Sequence, residues 1–161
     1  MAWAKKGTPV TLGSAGDTMT ISGLGANKFN VILNHAIYSV DTINSAYTFD
    51  NNGNTDYARR YSTNGGVDGT GINETNIIES QYTSDFFDVA YVVNIDGEEK
   101  LGIFHNCEAT TTGGAAAPRR REVVGKVDTT TNSGQFTRID SNNTTAGDYD
   151  TNSNLSVLGT N

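Results

Sequence analysis

The 161-residue chain is short of most residues that fix a protein's class by their abundance. Its one cysteine, Cys107, excludes an internal disulfide framework, so stability rests on packing or on association with other chains. Only 2 prolines and 18% charged residues argue against a disordered tract, which needs more of both and fewer than the 6 Phe, 7 Tyr and 1 Trp found here. No apolar run approaches the roughly 18 residues that cross a membrane, and Met1-Ala-Trp-Ala-Lys-Lys-Gly lacks the apolar core of a secretory leader. A chain made in a cytoplasm with no membrane partner is therefore expected. With 11 Lys and Arg against 18 Asp and Glu the net charge is −7, and no basic stripe offsets it, so nucleic acid is not an expected partner.

Good helix formers are scarce, whereas Thr, Asn and the 18 glycines are plentiful. That balance selects an all-β fold with many turns. Period-two alternation supplies the strands. Phe29, Val31, Leu33 and Ile37 share one face of a segment whose other face carries Asn30 and Asn34. Phe87, Val89, Tyr91, Val93 and Ile95 alternate in the same way, and after Asp96-Gly97 so do Leu101, Ile103, His105 and Cys107. Asp-Gly provides the positive φ of a tight reversal, so these two runs are expected to form a hairpin. Further strands are expected over 17–24 with Met19 and Ile21 inward, and over 45–50, 74–82, 120–127, 135–140 and 154–158. About eight to ten short strands without helices describe a single-domain antiparallel β-sandwich of jelly-roll type over residues 1–161. Few lysines and prolines blunt its edges, so neighbouring subunits are expected to cover them, with segment 1–9 and Trp3 docked on such a neighbour.

The supply of catalytic groups is thin. His35, His105 and Cys107 alternate with apolar residues and read as inward side chains of strands, and no Gly-x-Ser-x-Gly elbow is present. The acidic pairs Asp85/Asp88, Glu98/Glu99 and Asp148/Asp150 fall at turns or strand ends, where solvation explains them without glycosidase chemistry. A non-enzymatic role is expected, with no cofactor. Structural calcium is the one metal reading, because Asp50, Asn52, Asn54 and Asp56 place side-chain oxygens at alternate positions, as do Asp148 and Asp150. Asx-rich turns give the same pattern without metal.

Two basic spots interrupt the acidic background, Arg59-Arg60 between Tyr57 and Tyr61, and Arg119-Arg120-Arg121 after the small-residue stretch 109–118. Planar guanidinium groups suit interfaces, so Trp3, Arg59, Arg60, Arg119, Arg120 and Arg121 are the expected subunit contacts. A second reading makes Tyr38, Tyr57, Tyr61 and Tyr82 the stacking platform of a carbohydrate-binding or receptor-binding module facing a host-surface glycan.

Thr11-Leu-Gly-Ser-Ala-Gly-Asp-Thr18, Tyr57 to Gly66, Ala117-Pro-Arg-Arg-Arg-Glu-Val-Val-Gly-Lys126 and the ending Gly147-Asp-Tyr-Asp to Gly159 together resemble small β-sandwich virion proteins of marine tailed phages. The ending resembles the last strand of jelly-roll sandwiches in phage fibre and decoration proteins. What the resemblance implies is a structural component of a phage head or tail. Such a protein assembles as a homo-oligomer, most simply a trimer, on other virion proteins such as the major capsid protein, and a filament subunit is a related alternative. It transfers no catalytic residue.

Overall fold

The computed structural model describes residues 2–110, 114, 116–128 and 134–161. They form twelve strands: β1 (Ala4–Thr11), β2 (Thr18–Ile21), β3 (Phe29–Ala36), β4 (Ile43–Phe49), β5 (Tyr57–Thr63), β6 (Gly69–Glu74), β7 (Ile78–Tyr82), β8 (Phe86–Val93), β9 (Lys100–Glu108), β10 (Arg119–Val127), β11 (Ile139–Asn143) and β12 (Asn154–Thr160). Every pairing is antiparallel. The larger sheet runs β1-β12-β3-β8-β9-β10-β5-β6 and the smaller β2-β11-β4-β7. The fold is thus a single all-β domain of two antiparallel sheets, consistent with a sandwich.

The expected hairpin is present, β8 and β9 pairing from Phe86 opposite Glu108 to Val93 opposite Leu101. Gly97 takes a φ of 73°, as the reversal requires. Buried Lys100 closes the turn, its Nζ donating to the carbonyls of Ile95 at 2.6 Å and Glu98 at 2.8 Å. Of the strand expected over 74–82, residues 78–82 form β7, while Glu74 ends β6, which belongs to the other sheet. The arginine-bearing segment after Tyr57 is strand β5. Segment 4–11 pairs with β12 of its own chain, while Trp3 just before it remains exposed. Part of the stretch 109–118 lies outside the described residues.

The smaller sheet packs Met19, Ile21, Ile139, Tyr47 and Phe49 against the inner face of the larger, where Ile32, Phe86, Ala90, Val92, Phe104 and Val123 are buried. Phe49 stacks on Phe136 with ring centroids 4.4 Å apart, and Tyr82 on Phe86 at 3.8 Å. Two glycines shape this contact. Gly102 on β9 and Gly125 on β10 are direct cross-strand partners, and the notch they leave receives Ile77. A Cβ on Gly125 would lie 2.6 Å from Ile77 Cγ1, and one on Gly102 2.6 Å from the Phe104 ring, so close approach demands glycine at both places.

The inward parity of the three best-marked strands is opposite to expectation. Asn30, Ile32, Asn34 and Ala36 of β3 face the core, as do Phe86, Asp88, Ala90 and Val92 of β8 and Lys100, Gly102, Phe104, Asn106 and Glu108 of β9. Phe29, Phe87, Tyr91, Leu101, Ile103, His105 and Cys107 point outward. Several of the inner polar groups hydrogen-bond one another, which offsets part of the cost of burial, although Asn30 Oδ1, Asn34 Oδ1 and Asn106 Oδ1 have no partner. Tyr47 donates to Asp88 Oδ2 at 2.5 Å, Asn106 Nδ2 to Asp88 Oδ1 at 2.5 Å, and Asn34 Nδ2 to Tyr47 Oη at 2.6 Å and Ser141 Oγ at 3.1 Å. Tyr149 extends the network to Ser45 at 2.9 Å.

Candidate interaction face

The outer face of the larger sheet follows from its register. Directly opposed residues on an antiparallel ladder point to the same side, so one row can be traced across all eight strands. That row is Lys5, Leu158, Val31, Tyr91, Ile103, Val124, Arg60 and Thr70. The row beside it runs Thr160, Phe29, Val93, Leu101, Lys126 and Ala58. Apolar side chains fill the middle of both rows, with Lys5 and Arg60 flanking the first and Lys126 beside Leu101 in the second. Tyr91, Leu101, Ile103 and Val124 are 52%, 51%, 50% and 51% exposed, far above what a core-facing strand residue shows.

The face is hollow. Trp3, next to one edge strand, and Ile72, on the other, line the same cavity of about 780 Å³, whose floor includes Tyr91, Leu101, Ile103 and Val124. Trp3, Phe29, Ile72 and those four floor residues together expose on the order of 700 Å² if a fully exposed large side chain offers about 200 Å². A soluble monomer's largest apolar patch is usually about 300–600 Å².

The rim differs electrostatically from the rest of the chain. Lys5, Arg60, Arg120 and Lys126 are its outward cations, and Asp68, Glu99 and Glu122 are acids beside them. Arg60 pairs with Asp68 at 3.2 Å, Lys126 with Glu99 at 2.7 Å and Arg120 with Glu122 at 3.8 Å. These exposed pairs add little stability. They do leave the face close to neutral on a chain of net −7.

The six residues expected at subunit contacts are divided between the two sides of the larger sheet. Trp3, Arg60 and Arg120 belong to the outer face. Arg59, Arg119 and Arg121 point inward, because alternate residues on β5 and β10 face opposite ways. Arg59 bonds Glu74 and Glu79, both at 3.2 Å, and Arg119 pairs with buried Glu108. Arg121 stacks over the Tyr61 ring at 4.2 Å.

Burial removes Tyr57 and Tyr82 from the expected tyrosine platform. Tyr57 and Tyr82 are 1% exposed, and their rings pack in the core, where no sugar can stack. Tyr38 and Tyr61 are only partly buried against that core. The residues considered for calcium act as turn caps. Asp50 Oδ1 accepts from the amides of Thr137 at 2.9 Å and Arg138 at 3.0 Å. Asn52 donates to Asp56 at 3.0 Å and accepts from the Asn54 amide at 2.9 Å, and Asp150 accepts from the Thr151 amide at 2.6 Å. Asp148 hydrogen-bonds Asp17, whose carboxyl is raised above its ordinary range by partial desolvation and by that neighbour. Among the described residues no three His, Cys, Asp or Glu side chains form a group able to hold a metal ion.

His35, His105 and Cys107 are corrected too: all three lie on the outer face and are exposed. The most perturbed carboxyl is Asp88, pushed up to about 6 by burial and partly restrained by its hydrogen bonds from Tyr47, Asn106 and Tyr82. It sits inside the core network and is itself buried. Sequence reasoning missed the outer face as a site because it assigned those same side chains to the core.

Comparison with known proteins finds no matching family model, no similar curated protein and no similar solved structure.

Proposed function

We propose that this chain is a non-enzymatic structural subunit of a bacteriophage particle, a sandwich of jelly-roll type that associates with copies of itself through the outer face of its larger sheet. The observation that carries this reading is the hollow apolar face around Tyr91 and Ile103, left uncovered while asparagines and an aspartate are buried beneath the same strands. The resemblance of the chain's loop and terminal motifs to phage virion proteins supplies the particle.

The occupant of the face is a second copy of the chain. Its exposed apolar area of about 700 Å² is of the size each partner contributes to a standard protein interface, about 800 Å². Its near-neutral rim lets two copies approach where the rest of the net −7 surface repels. Trp, Tyr and Phe gathered in one hollow are the residue types that dominate interface energies. The Arg60 and Arg120 pairs at the rim set orientation more than affinity.

Tyr91→Lys and Ile103→Glu test this directly. Each places a charge in the middle of the face and should weaken association by about 2 kcal/mol or more, roughly thirtyfold in Kd, read by light scattering over a dilution series. Because both side chains already face solvent in the isolated chain, the unfolding midpoint of the dissociated protein should stay within about 0.5 kcal/mol of the parent. Unchanged association in both variants rules out this face as the contact.

A further inference from the structure

Arg59, Arg119 and Arg121 project from the inner face of β5 and β10 into the margin where that face runs past edge strand β7. Arg59 reaches Glu79 on β7, and Arg119 donates to the backbone carbonyl of Gln81 on the same strand. These two guanidinium groups blunt the edge of the smaller sheet, and both have carboxylates within the chain.

Arg121 differs from them. It makes no ion pair and no hydrogen bond with the described residues. Its Nε is buried without a partner, while its terminal nitrogens reach solvent. Directly across the ladder lies Asn106, whose Oδ1 is also buried without a partner. Asp88 stands behind Asn106, hydrogen-bonded to it. The Tyr61 ring lies 4.2 Å from the guanidinium carbon and holds its plane. Burial, and after it Arg59 and Arg119, work against the Arg121 charge. A guanidinium cannot relieve that by giving up its proton at ordinary pH; buried Asp88 offsets part of its charge from within, and the terminal nitrogens that reach solvent are left for an anion supplied from outside.

We propose that Arg121, stacked on Tyr61 and presenting its terminal nitrogens at the margin between the sheets, is the centre of a binding site for a single oxyanion group, a carboxylate, sulfate or phosphate. A planar, pre-positioned fork suits two parallel N–H···O bonds to such a group. The site lies on the face of β10 opposite to the apolar hollow and stands or falls independently of the assembly proposal.

The test is an NMR titration of the arginine Nε–H resonances with sodium glucuronate, sodium sulfate and sodium phosphate, ionic strength held constant with sodium chloride and glucose as the uncharged control. A saturable shift of the Arg121 resonance is expected with at least one oxyanion, with a Kd of about 1 mM. Response to glucuronate alone assigns a sugar acid, and response to sulfate or phosphate assigns a free anion or an ester. Arg121→Lys keeps the charge but loses the fork, and should weaken binding about tenfold by chemical-shift perturbation of the neighbouring amides. Tyr61→Phe, which keeps the ring, should bind as the parent does. Shifts that merely follow ionic strength, or binding unchanged in Arg121→Lys, overturn the proposal.

Discussion

Replacing Asp88 by asparagine isolates the energetic cost of the polar core. The carboxyl is fully buried, and its pKa rises from an ordinary 3.8 to about 6, chiefly because burial disfavours the charged form. A raised folded-state value means that the folded chain holds the proton more tightly than the unfolded chain. The stabilisation is therefore fully present below about pH 3.8 and is lost as pH rises through about 6. The gap of about two pKa units corresponds to about 3 kcal/mol. An asparagine side chain there removes the titration while keeping the shape, and Tyr47 and Asn106 can reorient to serve an amide. Urea unfolding of both proteins between about pH 4 and pH 8 gives the difference directly, since all other titrating groups are common to the pair. The parent should lose about 2.5 kcal/mol relative to Asp88→Asn over that range, with the loss centred near pH 5 and complete just above pH 6. A pH-independent difference, or a parent that gains on the variant as pH rises, refutes the argument that burial outweighs the three hydrogen bonds to the carboxylate.

The other predictions concern packing and the remaining buried phenols. Gly125→Ala should cost about 1–3 kcal/mol in denaturant unfolding through its contact with Ile77, and adding Ile77→Ala should recover part of that cost, a non-additivity that unrelated sites would not show. Burial pushes Tyr57 up to about 12 and lifts Tyr47, Tyr82 and Tyr149 well above their ordinary 10, so these four should ionise together only as the chain unfolds in alkali. Their raised values make stability fall as pH climbs past 10, and smooth ultraviolet titration of all 7 tyrosines around pH 10 with the fold intact contradicts that.

The all-β class, the β8–β9 hairpin and the inward Met19 and Ile21 were legible in the sequence, because turn chemistry and alternation are local. Which face of β3, β8 and β9 turns inward was not. Both faces of β8 are apolar in composition, Phe86, Ala90 and Val92 on one and Phe87, Val89, Tyr91 and Val93 on the other. The deciding partners of Asp88, Asn34 and Asn106 come from distant strands. A rule that buries the more apolar side thus selects the wrong one. The same non-locality hid β5 and β6, whose arginines and glycines form a strand because β10 and an ion pair to β7 hold them. Once 119–121 is read as strand, period-two alternation alone separates Arg120 from its two neighbours, so that division was within reach of the sequence.

The central claim is that a second copy covers the outer face. Sedimentation equilibrium of the unaltered chain, over protein concentrations from about 1 to 100 μM, tests it most directly. An integral multiple of the chain mass at the upper concentrations, dissociating on dilution and abolished by Ile103→Glu, is the predicted result. A mass of one chain throughout that range would contradict it.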